Sequence, residues 1–367
     1  MDLVGDLLLE ALGRADGFKG SRLRPRMRRP AGSLPFAGAS RTALNADRLL
    51  NRHLLYPRWL RKRRRGFDLF HVADHSYAQL VHALPAGRAV VTCHDTDAFR
   101  SLVDPEREPR PAAFRAMQRR VLRGLRAAAR VVCDSAAVRD ELVAHALVPP
   151  ERLRVVPLPA HPDFSPHPDP AADAEAARLL GPARPDGILL LHVGSTVARK
   201  RIDVLLDAFA AVRRARPDAR LVRAGGTLTR EQEGRVDALG LRGAIVSLPP
   251  LERPVLAAIY RRAAAVLVPS EREGFGLPLA EALASGVPVA ASGIPVLREV
   301  GGAAAAYAPP GDADALAAAV LTLLDERDDP ARWETRRRRI AERAARFTLA
   351  AFAREMAEVY HEVLDGL

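Results

Sequence analysis

Two glutamates, Glu273 and Glu281, are separated by seven residues and enclose the turn Gly274-Phe275-Gly276 followed by Leu277. An apolar run, Ala265-Val266-Leu267-Val268, leads into the turn, and a helix-forming stretch follows it. Pro278 suits the first helical position because it has no N–H to leave unpaired there. Gly286 suits the position just past the helix end, where a positive φ is common. The spacing therefore places Glu273 on the turn and Glu281 on the first helical turn. Free backbone N–H groups at such a start favour an anion. Two carboxylates beside an anion site read as acceptors for hydroxyl groups on a ligand that also carries phosphate. The plainer alternative is a solvated acidic loop ahead of an ordinary helix.

A second group supplies positive charge. Gly194-Ser195 closes the apolar run Ile188–Val193, and Arg199 and Lys200 stand just before the helical pattern that begins at Ile202. A guanidinium and a point ammonium charge beside free N–H groups suit phosphate. As surface decoration, positive charge at a helix start opposes the dipole. Neither half shows Gly-x-Gly-x-x-Gly after its first strand, and no Gly-x-x-x-x-Gly-Lys-Ser/Thr is present, so dinucleotide and P-loop readings fail. Asp95 and Asp97 could hold a metal, but two loop aspartates are a weak signal. Cys93 and Cys133 have neither ligand spacing nor an evident base, and reduced thiols are expected.

These groups need a scaffold, and 367 residues provide for two domains, each with its own core. Hydrophobic content of 48% and charged content of 27% are those of a folded soluble protein. No apolar run approaches the roughly 18–20 residues that span a bilayer, and the first residues do not read as a signal peptide. A net charge of +12 invites nucleic acid, an anionic membrane or phosphorylated small molecules. Much of the excess lies in two clusters, Arg22 to Arg29 and Arg58 to Arg65, which also read as a solvated basic face. Nucleic acid is not expected, because aromatics make up only 5% of the chain and do not interleave the basic runs.

Short apolar strands alternate with helical patterns through both halves, and polar residues close most strands. Phe67–Val72, Ala89–Cys93, Val131–Cys133 and Leu153–Pro157 read as strands of the first half. Ile188–Val193, Arg220–Ala224, Ala244–Leu248, Ala265–Val268 and Val287–Ser292 are those of the second. Pro57 is expected to break a helical stretch within 43–65. The alternation signals parallel, doubly wound sheets, whose ligands lie beyond the carboxyl ends of the strands. Residues 159–187, rich in Pro, Asp and Ala, are the linker candidate. The expected domains are 1–170 and 186–345, with 346–367 a closing helix.

The stretch from about 188 to 300 resembles the donor-binding domain of GT-B-fold glycosyltransferases of the retaining family 4 kind. The resemblance rests on Glu273-x7-Glu281 with its inner glycines and on Gly194…Arg199-Lys200 followed by Asp203-x-Leu205-Leu206-x-Ala208-Phe209. Two further pieces are the strand ending at Ser270 and Ser285-Gly286-Val287-Pro288-Val289. The first half matches more loosely, through Phe67–His71 and Val91-Thr92-Cys93-His94-Asp95.

The resemblance implies two Rossmann-like domains facing across a cleft, with the last helix crossing back to the first domain. It implies transfer of a sugar from a UDP- or GDP-type donor to a glycan or lipid-linked acceptor hydroxyl, with no metal and no cofactor. Lys200 and Arg199, with the loop Gly194-Ser195, would meet the donor diphosphate. Glu281 would accept from the ribose hydroxyls, and Glu273 from hydroxyls of the transferred sugar. The N–H groups near Gly274, Phe275, Gly276 and Leu277 would meet sugar or phosphate, Val246 and Leu248 would lie near the base, and His94 would face the sugar. Glu273 as a nucleophile is the lesser reading. The family usually carries an Arg where this chain has Ser195. Such enzymes also begin with a strand and a Gly-rich loop, whereas this chain opens on what reads as the helix after them. Either the natural start lies upstream or the first sheet is built differently. A cytoplasmic location is expected, with peripheral membrane contact through the basic first domain. The competing readings are a non-catalytic protein using its Arg clusters on nucleic acid or membrane, and an epimerase of the same fold.

Overall fold

Ten short strands form two separate sheets in the computed structural model, which describes residues 2–13, 17–31, 33, 40–181 and 187–366. The first sheet contains β1 (Phe70–Val72), β2 (Ala89–Cys93), β3 (Arg130–Cys133) and β4 (Leu153–Val155), paired in that order and all parallel. The second contains β5 (Leu189–Val193), β6 (Arg220–Ala224), β7 (Ile245–Leu248), β8 (Ala265–Val268), β9 (Val289–Ser292) and β10 (Ala305–Ala308). Its order is β10-β9-β8-β5-β6-β7, again all parallel. The chain moves outward from β5 toward β7, then returns to β8 on the other side of β5. The reversal point is therefore the β5–β8 pair, where Leu190 faces Ala265 and Leu191 faces Val266. In the first sheet the described strands advance in one direction only.

The strands are apolar nearly throughout because helices cover parallel sheets on both faces. The helix Ile202–Ala215 shows how a covering element is specified: Ile202, Leu205, Leu206, Phe209 and Val212 recur at helical spacing and are all buried. Fully burying side chains such as Leu205 and Phe209 contributes about 1.5–3 kcal/mol each. They join Leu190, Leu221, Leu267 and Val320 in the core of the second sheet. Val91, Val121, Leu125, Val131 and Leu142 centre the core of the first.

The chain divides into two compact units. One runs to Pro157 and takes in the end of the chain from Phe352; the other is Leu158–Ala351. The division falls ahead of the Pro-rich stretch expected as linker. That stretch carries the helix Pro170–Leu180, which buries Ala172, Ala176 and Leu180, and its Asp173 accepts from Arg261 at 2.8 Å. The closing helix Leu349–Asp365 enters the first unit at Phe352. Within that unit Tyr360 Oη lies 2.6 Å from His71 Nδ1, and Glu362 accepts from Arg130 at 2.9 Å and from Arg154.

Three local expectations change. Pro57 does not interrupt its helix: Arg41–Leu50 passes through a π-helical turn, Asn51–Leu55, into Tyr56–Arg61. The wider turn absorbs the residue whose carbonyl the proline ring would otherwise strike. Pro278 occupies the second helical position, since Gly276 is the N-cap (φ 92°) and Leu277 opens the helix Leu277–Ala284. The strand β10 was not expected at all; Ala305-Ala306-Tyr307-Ala308 has little intrinsic strand preference and owes its form to pairing with β9.

Candidate active site

The loops that leave β5 and β8 flank the reversal point, where open α/β sheets bind ligands. The first loop carries Gly194, the exposed Ser195 and a single 3-10 turn, Ala198–Lys200. The second carries Ser270 to Gly276. A backbone bond ties them, Glu271 N donating to Arg199 O at 2.8 Å. Their side chains converge on one carboxylate. Glu273 accepts from Lys200 Nζ at 2.5 Å, from Ser270 Oγ at 2.8 Å and from Arg199 Nη1 at 3.2 Å. Arg199 Nη1 also donates to Arg272 O at 2.9 Å. Lys200 is 9% exposed and the Glu273 side chain 6%, so this is a buried charge cluster with its acid fully engaged. The fold therefore brings Arg199, Lys200 and Glu273 together, with the hydroxyl of Ser270 as a further donor to the carboxylate.

Glu281 lies on the second turn of its helix, not the first, because the helix opens at Leu277. Burial raises its carboxyl to about 7, against the opposing pull of the Tyr260 hydroxyl and of the positive charges of Arg253 and Lys200. Tyr260 Oη donates to Glu281 Oε2 at 2.9 Å and is itself fully buried. Lys200 is thus common to both glutamates: it bonds one and acts electrostatically on the other. Phe275 is buried and meets the Phe347 ring edge-on, with centroids 5.6 Å apart, so this residue offers its backbone rather than its ring. Val246 and Leu248 lie on β7, opposite Val222 and Ala224 of β6.

His94 belongs to the other unit, just past β2. Its Nδ1 lies 2.7 Å from Asp134 Oδ2 and its Nε2 2.8 Å from Ala73 O. A carbonyl can only accept, so Nε2 donates, and the carboxylate takes the second N–H; the ring is an imidazolium. Burial opposes that charge, but the hydrogen bond and field of Asp134, with the Ala73 carbonyl, lift it to about 9. Neither ring nitrogen is left as a base. His75 lies beside it, its Nδ1 accepting from His94 N at 3.3 Å and its Nε2 3.7 Å from Asp95 Oδ1. No group of three His, Cys, Asp or Glu side chains placed to hold a metal occurs among the described residues.

The His94–Asp134 pair predicts a pH dependence of stability. The folded His94 value is raised above the unfolded one, so its stabilisation is fully present below about 6.5 and is lost as pH rises through about 9. The linked change is on the order of 3 kcal/mol. Thermal unfolding of the wild type should weaken between pH 6.5 and 9.5, and Asp134→Asn should flatten that dependence. An unaltered slope in the variant would refute the pairing.

Tyr260, Asp134 and Arg223 had no role assigned from the sequence, and Ser270 entered it only as the end of a strand. Of the three without a role, Arg223 left a signal, a charged residue between Val222 and Ala224 just ahead of Gly225-Gly226. It is 0% exposed, donates to Gly226 O at 2.7 Å and to Gly194 O at 3.0 Å, and its Nε has no acceptor.

Comparison with known proteins separates the two halves along the same lines. Residues 181–342 match the family model for glycosyl transferases group 1, and residues 24–164 match that for glycosyltransferase family 4. The chain belongs to the family 4 and group 1 glycosyltransferases. The D-inositol 3-phosphate glycosyltransferase of Thermobispora bispora is 34% identical over 249 residues, covering 64% of this chain and 56% of that protein. The O-antigen chain mannosyltransferase B of Escherichia coli is 29% identical over 289 residues, covering 73% and 70%. This glycosyltransferase chain spans little more than half the length of the first of these relatives. Among solved structures, sucrose-phosphate synthase of Thermosynechococcus elongatus aligns with a TM-score of 0.68 at 25% identity, covering 85% of this chain and 77% of that one. The Anabaena HepE protein in complex with UDP and glucose aligns at 0.69 with 18% identity, covering 84% and 82%, a likeness of fold. The two parallel sheets are those of the GT-B class.

Proposed function

We propose that this glycosyltransferase chain moves a sugar from a nucleoside-diphosphate sugar to an acceptor hydroxyl, with retention of configuration. The observation that carries the reading is the cluster of Lys200, Arg199 and Glu273 at the β5–β8 reversal point, with Glu281 beside it. The costly event is departure of the diphosphate, and fixed positive charge stabilises the negative charge that develops. Lys200 and Arg199 would turn from Glu273 to the diphosphate. The freed Glu273 carboxylate would then accept from hydroxyls of the sugar. The bond from the anomeric carbon to the phosphate oxygen breaks, the bond to the acceptor oxygen forms on the same face, and the acceptor proton passes to a phosphate oxygen. Glu281 would take the ribose hydroxyls. His94, in the first unit, offers a fixed positive charge and no base. That a solved relative in fold was captured with UDP favours a UDP-type donor. A glycan or lipid-linked acceptor fits the basic first unit, where Leu49 and Leu54 are exposed between Arg48 and Arg58. No described helix is long and apolar enough to cross a membrane.

A thermal-shift panel of UDP, GDP and their sugars tests this, with Glu281 supplying a pH signature. Ribose hydroxyls donate, so Glu281 must be ionised, and affinity should rise as pH passes upward through about 7. Glu281→Gln should bind weakly and without that rise. Stabilisation by no nucleotide at any pH would sink the proposal.

A further inference from the structure

Arg223 is a permanently charged side chain, fully buried, with no carboxylate in ion-pair contact among the described residues. Burying a charge without an anion costs several kcal/mol, so such groups are rare unless something else makes use of them. Its two Nη groups hold two backbone carbonyls: Gly194 O in the loop after β5 and Gly226 O in the loop after β6. Nearby, Lys200 and Arg223 together keep His192 neutral, after burial itself, with its proton affinity lowered to about 3. Lys200 is paired with Glu273, whereas the buried charge of Arg223 has no such partner among the described residues.

The peptide geometry turns this clamp into a consequence. Every described peptide bond is trans, and across a trans peptide the C=O of one residue and the N–H of the next point in opposite directions. By drawing Gly194 O and Gly226 O toward itself, Arg223 turns the N–H groups of Ser195 and Thr227 away from itself. Neither N–H has an acceptor among the described residues, and both residues are exposed. The loops are tied by Gly194 N donating to Ala224 O at 2.9 Å, and Gly225 (φ 121°) permits their close approach, since a Cβ there would lie 2.6 Å from Gly194 O. The two N–H donors are thus oriented by one side chain that is itself sealed from solvent.

We infer that Arg223 is a positioning residue for the donor diphosphate. It presents the Ser195 and Thr227 N–H groups to phosphate oxygens and backs them with a buried positive charge. The inference rests on the donor reading above and deepens it. Ser195 then serves through its backbone, so the arginine usual at that position is not required for phosphate contact.

The test compares the nucleoside diphosphate that wild type binds in the panel above with the matching nucleoside, which lacks phosphate. Arg223→Met should weaken the diphosphate by about 10- to 100-fold, as expected on losing charge-assisted, oriented donors, and leave the nucleoside unchanged. Arg223→Lys retains charge but can grip one carbonyl at a time, and should fall between. A merely structural arginine would cost both ligands equally, and that result overturns the inference, as does full affinity in Arg223→Lys. Should either variant fail to fold, the wild type decides: amide resonances of Ser195 and Thr227 should move on adding the diphosphate and not the nucleoside. Amides that stay still overturn the assignment. Wild type that binds no nucleoside diphosphate removes the donor reading and this inference together, whereas binding that ignores Arg223 removes only the latter.

Discussion

Lys200→Met is expected to lower kcat/KM for a nucleotide-sugar donor by about 10²–10³, the usual loss when one oriented charge is removed from a developing anion. The fold should tolerate the change better than a buried ion pair normally would. Breaking such a pair commonly costs about 3–5 kcal/mol because the partner charge is left uncompensated. Here Glu273 retains Arg199 and Ser270, so the carboxylate is not abandoned. The double variant Lys200→Met/Glu273→Gln separates the two roles. If Lys200 serves the donor, the double variant regains unliganded Tm but no activity. If Lys200 serves only to neutralise Glu273, the double variant binds the nucleoside diphosphate, which carries no sugar for Glu273 to hold, as tightly as wild type, and the proposed mechanism loses its leading residue.

Gly124→Ala is the second large effect, and it concerns stability alone. Gly124 lies in the helix Ala112–Ala127 where that helix crosses the 3-10 helix His75–Ala83. A Cβ there would stand 2.1 Å from Ala78 O, 2.5 Å from Ala78 C and 2.8 Å from Gln79 N. All three are backbone atoms, so no side-chain rotation relieves the clash. Alanine is intrinsically favoured over glycine inside a helix by about 1 kcal/mol. The overlap should reverse that preference and cost roughly 3 kcal/mol or more, through separation of the two helices. Gly5→Ala makes a fitting control, since a Cβ at Gly5 meets nothing within 4 Å. Urea unfolding should show the first variant strongly weakened and the control neutral or slightly stabilised. Equal midpoints would mean that the crossing is looser than these distances say.

The second sheet was readable because its strands are apolar runs closed by Gly or Ser and its helices repeat at one period. The helix Ile202–Ala215 was legible to the residue. What stayed hidden depended on contacts distant in sequence. Ala305–Ala308 becomes a strand only because β9 offers a free edge. The π-helical turn at Asn51–Leu55 answers to Pro57, and no local pattern announces it. The site divided the same way. Glu273, Arg199 and Lys200 could be matched as opposite charges in two loops, but the hydroxyls that complete the network belong to Ser270, beside a strand end, and Tyr260, deep in a helix. Arg223 stood out only as a charge between Val222 and Ala224, and in an arginine-rich chain that hint carried no role until its complete burial gave it one.

The first unit takes its last piece from beyond the second. Phe352 follows Pro157 by 195 positions (352 − 157), and the second unit lies wholly between them. At about 5–20 residues per second, synthesis of that interval occupies roughly 10–40 s. During it the first sheet exists without the helix whose Tyr360 meets His71 and whose Glu362 receives Arg130 and Arg154. The second unit can therefore mature on the ribosome while its companion waits, and a premature stop codon within the helix Leu349–Asp365 would release a chain with one finished unit and one open one.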